Sequence, residues 1–195
     1  ESGKFLFVGL DSWLDLYPSK FFRSADLAAA SGDAEDCSFK TAEPVKGQGW
    51  KGGAISEKWG VAITGSGNTT AHTVMALSGD ESAALTLGCK SDGIDFDADG
   101  NLFGNNGDAR SQIVRYSFSA LSAKGGTVSA TKTFDTSLAR VRNLSVYTIG
   151  GKTLAFCGEG DSSKATKGKV IAVDVDDKEY ALVTTALAAD IMNVK

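Results

Sequence analysis

Proline and histidine are nearly missing from this chain: 2 prolines in 195 residues, and His72 as the one histidine. Three cysteines, Cys37, Cys89 and Cys157, stand far apart in the sequence. These scarcities exclude specific chemistry. One histidine rules out zinc centres built on two histidines, and three cysteines rule out centres built on four. The cysteine spacing contains no C-x-x-C metal or redox motif. Two readings remain for the thiols: one disulfide with a thiol left over, or three buried thiols packed as small hydrophobes, the favoured one. No apolar run approaches the about 20 residues of a membrane-spanning helix, so no membrane span is expected. Positive charge is also short, with Lys+Arg 20 against Asp+Glu 24 and a net charge of −4. Without a basic stripe, no nucleic-acid partner is expected. There is no P-loop, no third glycine after Gly65-Ser66-Gly67 and no G-x-S-x-G elbow, so neither a nucleotide cofactor nor a hydrolase elbow is expected. His72 falls among threonines on an expected strand and reads as structural.

Glycine is abundant, at 23 residues. Many glycines with few prolines suit short strands joined by tight turns. A composition 42% hydrophobic and 23% charged is that of a globular chain. At 195 residues it is long enough for one domain with its own core, taken here as residues 1–195. The start, Glu1-Ser2-Gly3, lacks Met and reads as a mature or trimmed end. A texture rich in Ser, Thr, Gly, Asp and Ala on strands is that of exported bacterial proteins. The expected location is secreted, periplasmic or at the cell surface.

The strands recur in groups. Residues 93–103 (GIDFDADGNLF) read as strand, Asp/Gly/Asn turn, strand. The alternating segments 112–119 (QIVRYSFS) and 127–134 (TVSATKTF) follow, giving four strands over about residues 92–134. A second group spans 143–185: LSVYTI, a Gly150-Gly151-Lys152 turn, TLAFC, a polar loop over 159–167, KVIAVDV, and YALVT. A fainter group occupies 52–88, with WGVAIT, HTVMAL and AALTL. In each group the loop after the second strand is polar, at residues 65–70, 105–111 and 159–167.

Antiparallel four-stranded units of about 40–50 residues are the signature of propeller blades. Residues 93–103, an apolar strand running into D-x-D-G-N and an aliphatic-aromatic pair, resemble the repeats of NHL or regucalcin-type propellers. The resemblance covers about residues 92–185, and 52–88 loosely. It implies an all-β fold of four-stranded repeats stacked as a partial or small β-propeller. A sheet apolar on both faces cannot hide both alone, and stacking hides both. Three groups are few for a closed propeller of about 4–8 blades. The chain is then part of a longer one, or an open stack; a β-sandwich is the alternative. Residues 19–30 (SKFFRSADLAAA) read as a short helix, and the rest of 19–50 as irregular.

Candidate chemistry is sparse. Asp95, Asp97, Asp99 and Asn101, around Gly100, match the first half of an EF-hand loop and make calcium the one cofactor to consider. Asn106 stands where the bidentate carboxylate belongs, so a polar hairpin turn is the competing reading. Asp11, in Leu10-Asp11-Ser12, and Asp135, in Phe134-Asp135-Thr136-Ser137, each follow a strand and bear a faint similarity to the Asp-Thr/Ser-Gly turns of aspartic peptidases. Trp13 and Ser137 replace the family's glycine. The simpler reading is strand-end aspartates in Asx turns. Trp13, Trp50 and Trp59 lie in or beside glycine-rich loops, suited to stacking on sugars or anchoring peptides, or to pinning the loops themselves.

The expectation is a monomeric, non-catalytic module binding extracellular protein or glycan, with contacts around Trp13, Trp50 and residues 65–70. Host glycoproteins such as mucins fit that setting by association. The alternative is a secreted aspartic-type peptidase using Asp11 and Asp135.

Overall fold

The computed structural model describes residues 5–8, 20–23, 52–65, 69–78, 82–159, 169–175 and 179–181. Among these the chain is all-β, its sheets are mainly antiparallel, and none closes into a barrel.

The first pair is β1 (Phe5–Val8) with β2 (Lys20–Arg23), antiparallel. This corrects the helix expected from residue 19, since residues 20–23 are extended. Adjacent aromatics at Phe21 and Phe22 favour a strand, and the partner at residues 5–8 supplies its ladder. The remainder of that expected segment, residues 24–50, lies outside the described residues, as do Asp11, Trp13, Cys37 and Trp50.

Three larger sheets follow in chain order. The first runs β3 (Gly52–Ser56), β4 (Val61–Gly65), β5 (Ala71–Ala76), β6 (Ser82–Leu87). The second holds β7 (Ile94–Phe96), β8 (Leu102–Asn105), β9 (Gln112–Tyr116) and, after an excursion, β11 (Ala130–Asp135). The third holds β12 (Val141–Ile149), β13 (Lys152–Glu159), β14 (Val170–Asp174) and β15 (Glu179–Ala181). The excursion supplies β10 (Gly126–Val128), which lies parallel on the outer edge of β6. The strand expected over residues 127–134 is thus two strands on two sheets. Its alternation continues through Ser129 and carries no signal of which edge each half pairs with.

Period-two alternation explains how the second sheet serves two cores. On β8, Leu102 and Phe103 are both fully buried. Leu102 packs with Val61, Ile63, Leu85, Val114 and Tyr116, between the first and second sheets. Phe103 packs with Ile113, Phe134, Leu144, Cys157 and Ile171, between the second and third. Neighbouring side chains on a strand point to opposite faces, so this sheet is apolar on both. Each such side chain contributes about 1.5–3 kcal/mol by leaving water. The first strands lie side by side: β3 against β7, and β7 against β12.

The turns follow from glycine where φ is positive. Gly150 and Gly151, at φ 59° and 77°, form the two-residue connection of β12 to β13. Positive φ at both central residues is the type I′ hairpin geometry. The β7–β8 turn places Gly100 at φ 76°.

Candidate ligand-binding face

The loop from β8 to β9, residues 105–111, lies between the connection entering the second sheet and the one leaving it. Toward the first, Gly107 N donates to Lys90 O at 2.7 Å, and Ser91 Oγ donates to Asn105 O at 2.8 Å. Toward the second, Val141 N donates to Arg110 O at 2.8 Å and Thr136 N to Ser111 O at 3.0 Å. Asn105, buried, bridges both: its Oδ1 accepts from Gly93 N at 2.9 Å, and its Nδ2 donates to Val141 O at 3.1 Å. From the third sheet, Glu159 accepts at Oε1 from Ala139 N at 2.7 Å. These hydrogen bonds tie the loop surface to both neighbouring connections, and the third sheet to the second, among the described residues.

Beneath that surface sits an ion pair. Arg142 Nη1 lies 3.1 Å from Asp92 Oδ2, with side-chain exposures of 11% and 9%. Asp92 enters β7 and Arg142 sits in β12, so the pair joins the second sheet to the third. Low exposure weakens solvent screening, and each charge relies on the other. Above it the groups are accessible: Lys90 pairs with Asp108 at 2.8 Å with exposures of 39% and 61%.

Asp135 belongs to this face. It is exposed at the end of β11, and its Oδ1 accepts from Gln112 Nε2 at 2.8 Å. Gln112 Oε1 in turn accepts from Asn106 Nδ2 at 3.0 Å. The result is a chain of amides and a carboxylate oriented by its neighbours, suited to donate to and accept from a polar ligand. Asp11, its expected partner, lies outside the described residues, so the two aspartates are not placed together.

Trp59 lies at the opposite end of the stack. Its Nε1 donates to Gly100 O at 2.8 Å, and its ring sits 6.2 Å from that of Phe118. The indole, half-buried, pins the β3–β4 turn to the β7–β8 turn. The acidic hairpin is engaged in the same way. Asp97 accepts from Asn101 N at 2.8 Å and Asn101 Nδ2 at 2.7 Å, and Asn101 Oδ1 accepts from Arg115 Nη2 at 2.7 Å. Asp95 reaches to the third sheet, where its Oδ2 accepts from Val146 N at 2.8 Å. Asp99 is exposed, and its backbone carbonyl accepts from Lys58 Nζ. Among the described residues no group of three or more His, Cys, Asp or Glu is arranged to hold a metal ion.

Comparison with known proteins adds little. No protein-family model matches the chain, and no curated protein matches it. A solved structure of hydrazine synthase from Kuenenia stuttgartiensis is similar at TM-score 0.48 and 12% identity, over 67% of this chain. This chain spans 36% of that one.

Burial shifts four groups. The His72 imidazole is pushed below its usual value by desolvation, opposed by its hydrogen bond to Thr64 O at 2.7 Å. Desolvation pushes the Cys89 and Cys157 thiols and the Tyr116 phenol upward. Both described cysteines are free thiols, Cys89 half-buried and Cys157 fully buried. Such thiols are poor nucleophiles at neutral pH. The pattern of residues alone missed Asp92, Arg142 and Asn105. Their one sequence signal is position, each at the edge of an expected strand.

Proposed function

We infer that the chain is an exported, propeller-like β-repeat domain. It binds an extracellular protein or glycoprotein, with the loop face around residues 105–111 as the contact surface. One observation carries the reading: three successive sheets stack with their first strands side by side and knit their connecting loops at one end. Repeat folds of this kind present such loop ends as binding surfaces on a rigid body. The groups on this face, exposed Asp108 and Asp135 with half-buried Lys90 and Gln112, are hydrogen-bonding and mixed in charge. They suit a hydroxyl- and amide-rich ligand better than an apolar one.

The test is binding of a mucin-type glycoprotein to the immobilised chain, together with hydrolysis of that glycoprotein and of a denatured protein across acid to neutral pH. Binding that weakens about tenfold in Gln112→Ala and Asp108→Ala, a loss of about 1.4 kcal/mol, while Trp59→Phe retains it, supports the reading. Cleavage that peaks in acid and disappears in folded Asp135→Asn replaces it with a peptidase.

A further inference from the structure

The outer edge of the first sheet has an unusual composition. β6 reads Ser-Ala-Ala-Leu-Thr-Leu, with no charged residue and no proline. Exposed strand edges are normally guarded by charge, proline or a bulge, because their free N–H and C=O groups recruit other strands. The corresponding edge of the second sheet follows the rule, with Lys132 and Asp135 on β11.

The edge of β6 is instead covered by a segment on loan from the second sheet. After β9 the chain crosses over, makes a 3-10 turn at Ser122–Lys124, lays β10 along β6, and returns to its own sheet at Ala130. The register sets Gly126 beside Leu85, Thr127 beside Thr86 and Val128 beside Leu87. Gly125 approaches so closely that a Cβ there would fall 2.7 Å from Ala84 O. Together these residues shield the strand from Ala83 to its end.

The strand part of this cover is short, while its 3-10 turn is anchored by buried Ser122 and by Ala123 packed on the first core. The strand pairs parallel over three residues in an otherwise antiparallel sheet. Of β10 only Val128 is buried, at 1% exposure, while Gly126 and Thr127 face solvent. Gly125 and Gly126 hold φ of 94° and 101°, a backbone conformation that suits glycine and strains other residues. Leu121, at the tip of the excursion, is 80% exposed.

We propose that β6 is a strand-docking edge plugged by the chain's own residues 119–128, and that an extended peptide takes the plug's place when it lifts. The occupant is defined by what the plug supplies. It runs parallel to β6, places one β-branched apolar side chain where Val128 sits, and carries small uncharged residues before it. Main-chain hydrogen bonds would give affinity and the Val128 position selectivity, the logic of strand addition. This edge is separate from the loop face, so either proposal can fail while the other stands.

The test uses the full chain and a labelled synthetic peptide, KGGTVSAT, which copies residues 124–131: the plug's strand with its flanking residues and the start of β11. Thr86 and Thr127 are register partners, and neighbouring strands lie about 4.8 Å apart, within the Cα separation of about 4.4–6.8 Å that a disulfide spans. A Thr86→Cys/Thr127→Cys variant therefore locks the plug when oxidised. Val128→Ala loosens it and should strengthen peptide binding about tenfold, by raising the open fraction. The locked variant should bind no peptide until reduced. Hydrogen exchange of wild-type β6 amides should report an opening well short of global unfolding. Equal peptide binding by locked and reduced protein overturns the proposal. So does wild-type exchange at β6 only at the global rate, a readout that stands even if Val128→Ala fails to fold.

Discussion

His72 is buried on β5 at 3% exposure, with Nδ1 facing the Thr64 carbonyl. A carbonyl only accepts, so Nδ1 carries the proton of the neutral ring. Nε2 is buried with no hydrogen-bond partner among the described residues, and charging it is unfavourable. The folded-state pKa is therefore depressed below that of the unfolded chain. Between those two values the unfolded chain binds the extra proton. The associated stability is complete above the unfolded value of about 6.5 and declines as pH falls toward the folded one. Chemical denaturation from pH 7 to 4.5 should show this decline, with a slope of at most about 1.4 kcal/mol per pH unit. His72→Gln should remove that component. At the same scale, Arg142→Met leaves Asp92 buried without its partner, an expected loss of about 3–5 kcal/mol. The double change Asp92→Leu with Arg142→Met should recover most of that loss in urea melts. Neither residue was legible beforehand, because an ion pair between positions fifty apart exists only once two sheets have stacked.

Elements were more legible than residues. The Gly150-Gly151 and Asp97–Asn101 turns are written in local chemistry, since left-handed φ demands glycine wherever it falls. Strands bounded by such turns were expected close to where they lie. The failures share one cause. Residues 20–23 and the division at Ser129 depend on which distant edge a segment joins, and local alternation carries no such label. The two kinds of glycine turn also separate strain from packing. A Cβ at Gly100 would meet Trp59 Nε1 at 2.5 Å, whereas one at Gly151 meets nothing within 4 Å, at nearly equal φ of 76° and 77°. Gly151→Ala should cost about 1–2 kcal/mol, the backbone contribution alone. Gly100→Ala should cost more, and the excess should shrink in a Trp59→Ala background, with the flexible Lys58 side chain, 2.8 Å away at Cδ, as the remaining neighbour, as a double-mutant cycle would report.

At the scale of the whole molecule, stability resides in the interfaces between sheets. Leu102 and Phe103 are adjacent in sequence yet belong to different cores. Leu102→Ala should destabilise by about 2–5 kcal/mol and Phe103→Ala by about 3–5 kcal/mol. Denaturant melts followed at Trp59, on the first interface, and by hydrogen exchange at β13, on the second, should shift together if the stack unfolds as one unit. The alternation of apolar residues announced two-faced sheets, while the edge that β10 joins exists only once the sheets have stacked. The excursion that carries β10 back to β6 also decides where the chain can be divided. A cut in residues 88–91 separates the first sheet from its fifth strand and leaves that strand on the wrong piece. A cut in residues 136–140 keeps the first and second sheets, with their shared strap, on one side. Fragment complementation should therefore regenerate the molecule from halves joined at the second boundary and fail at the first, since the strap makes the first two sheets one piece for the purpose of cutting.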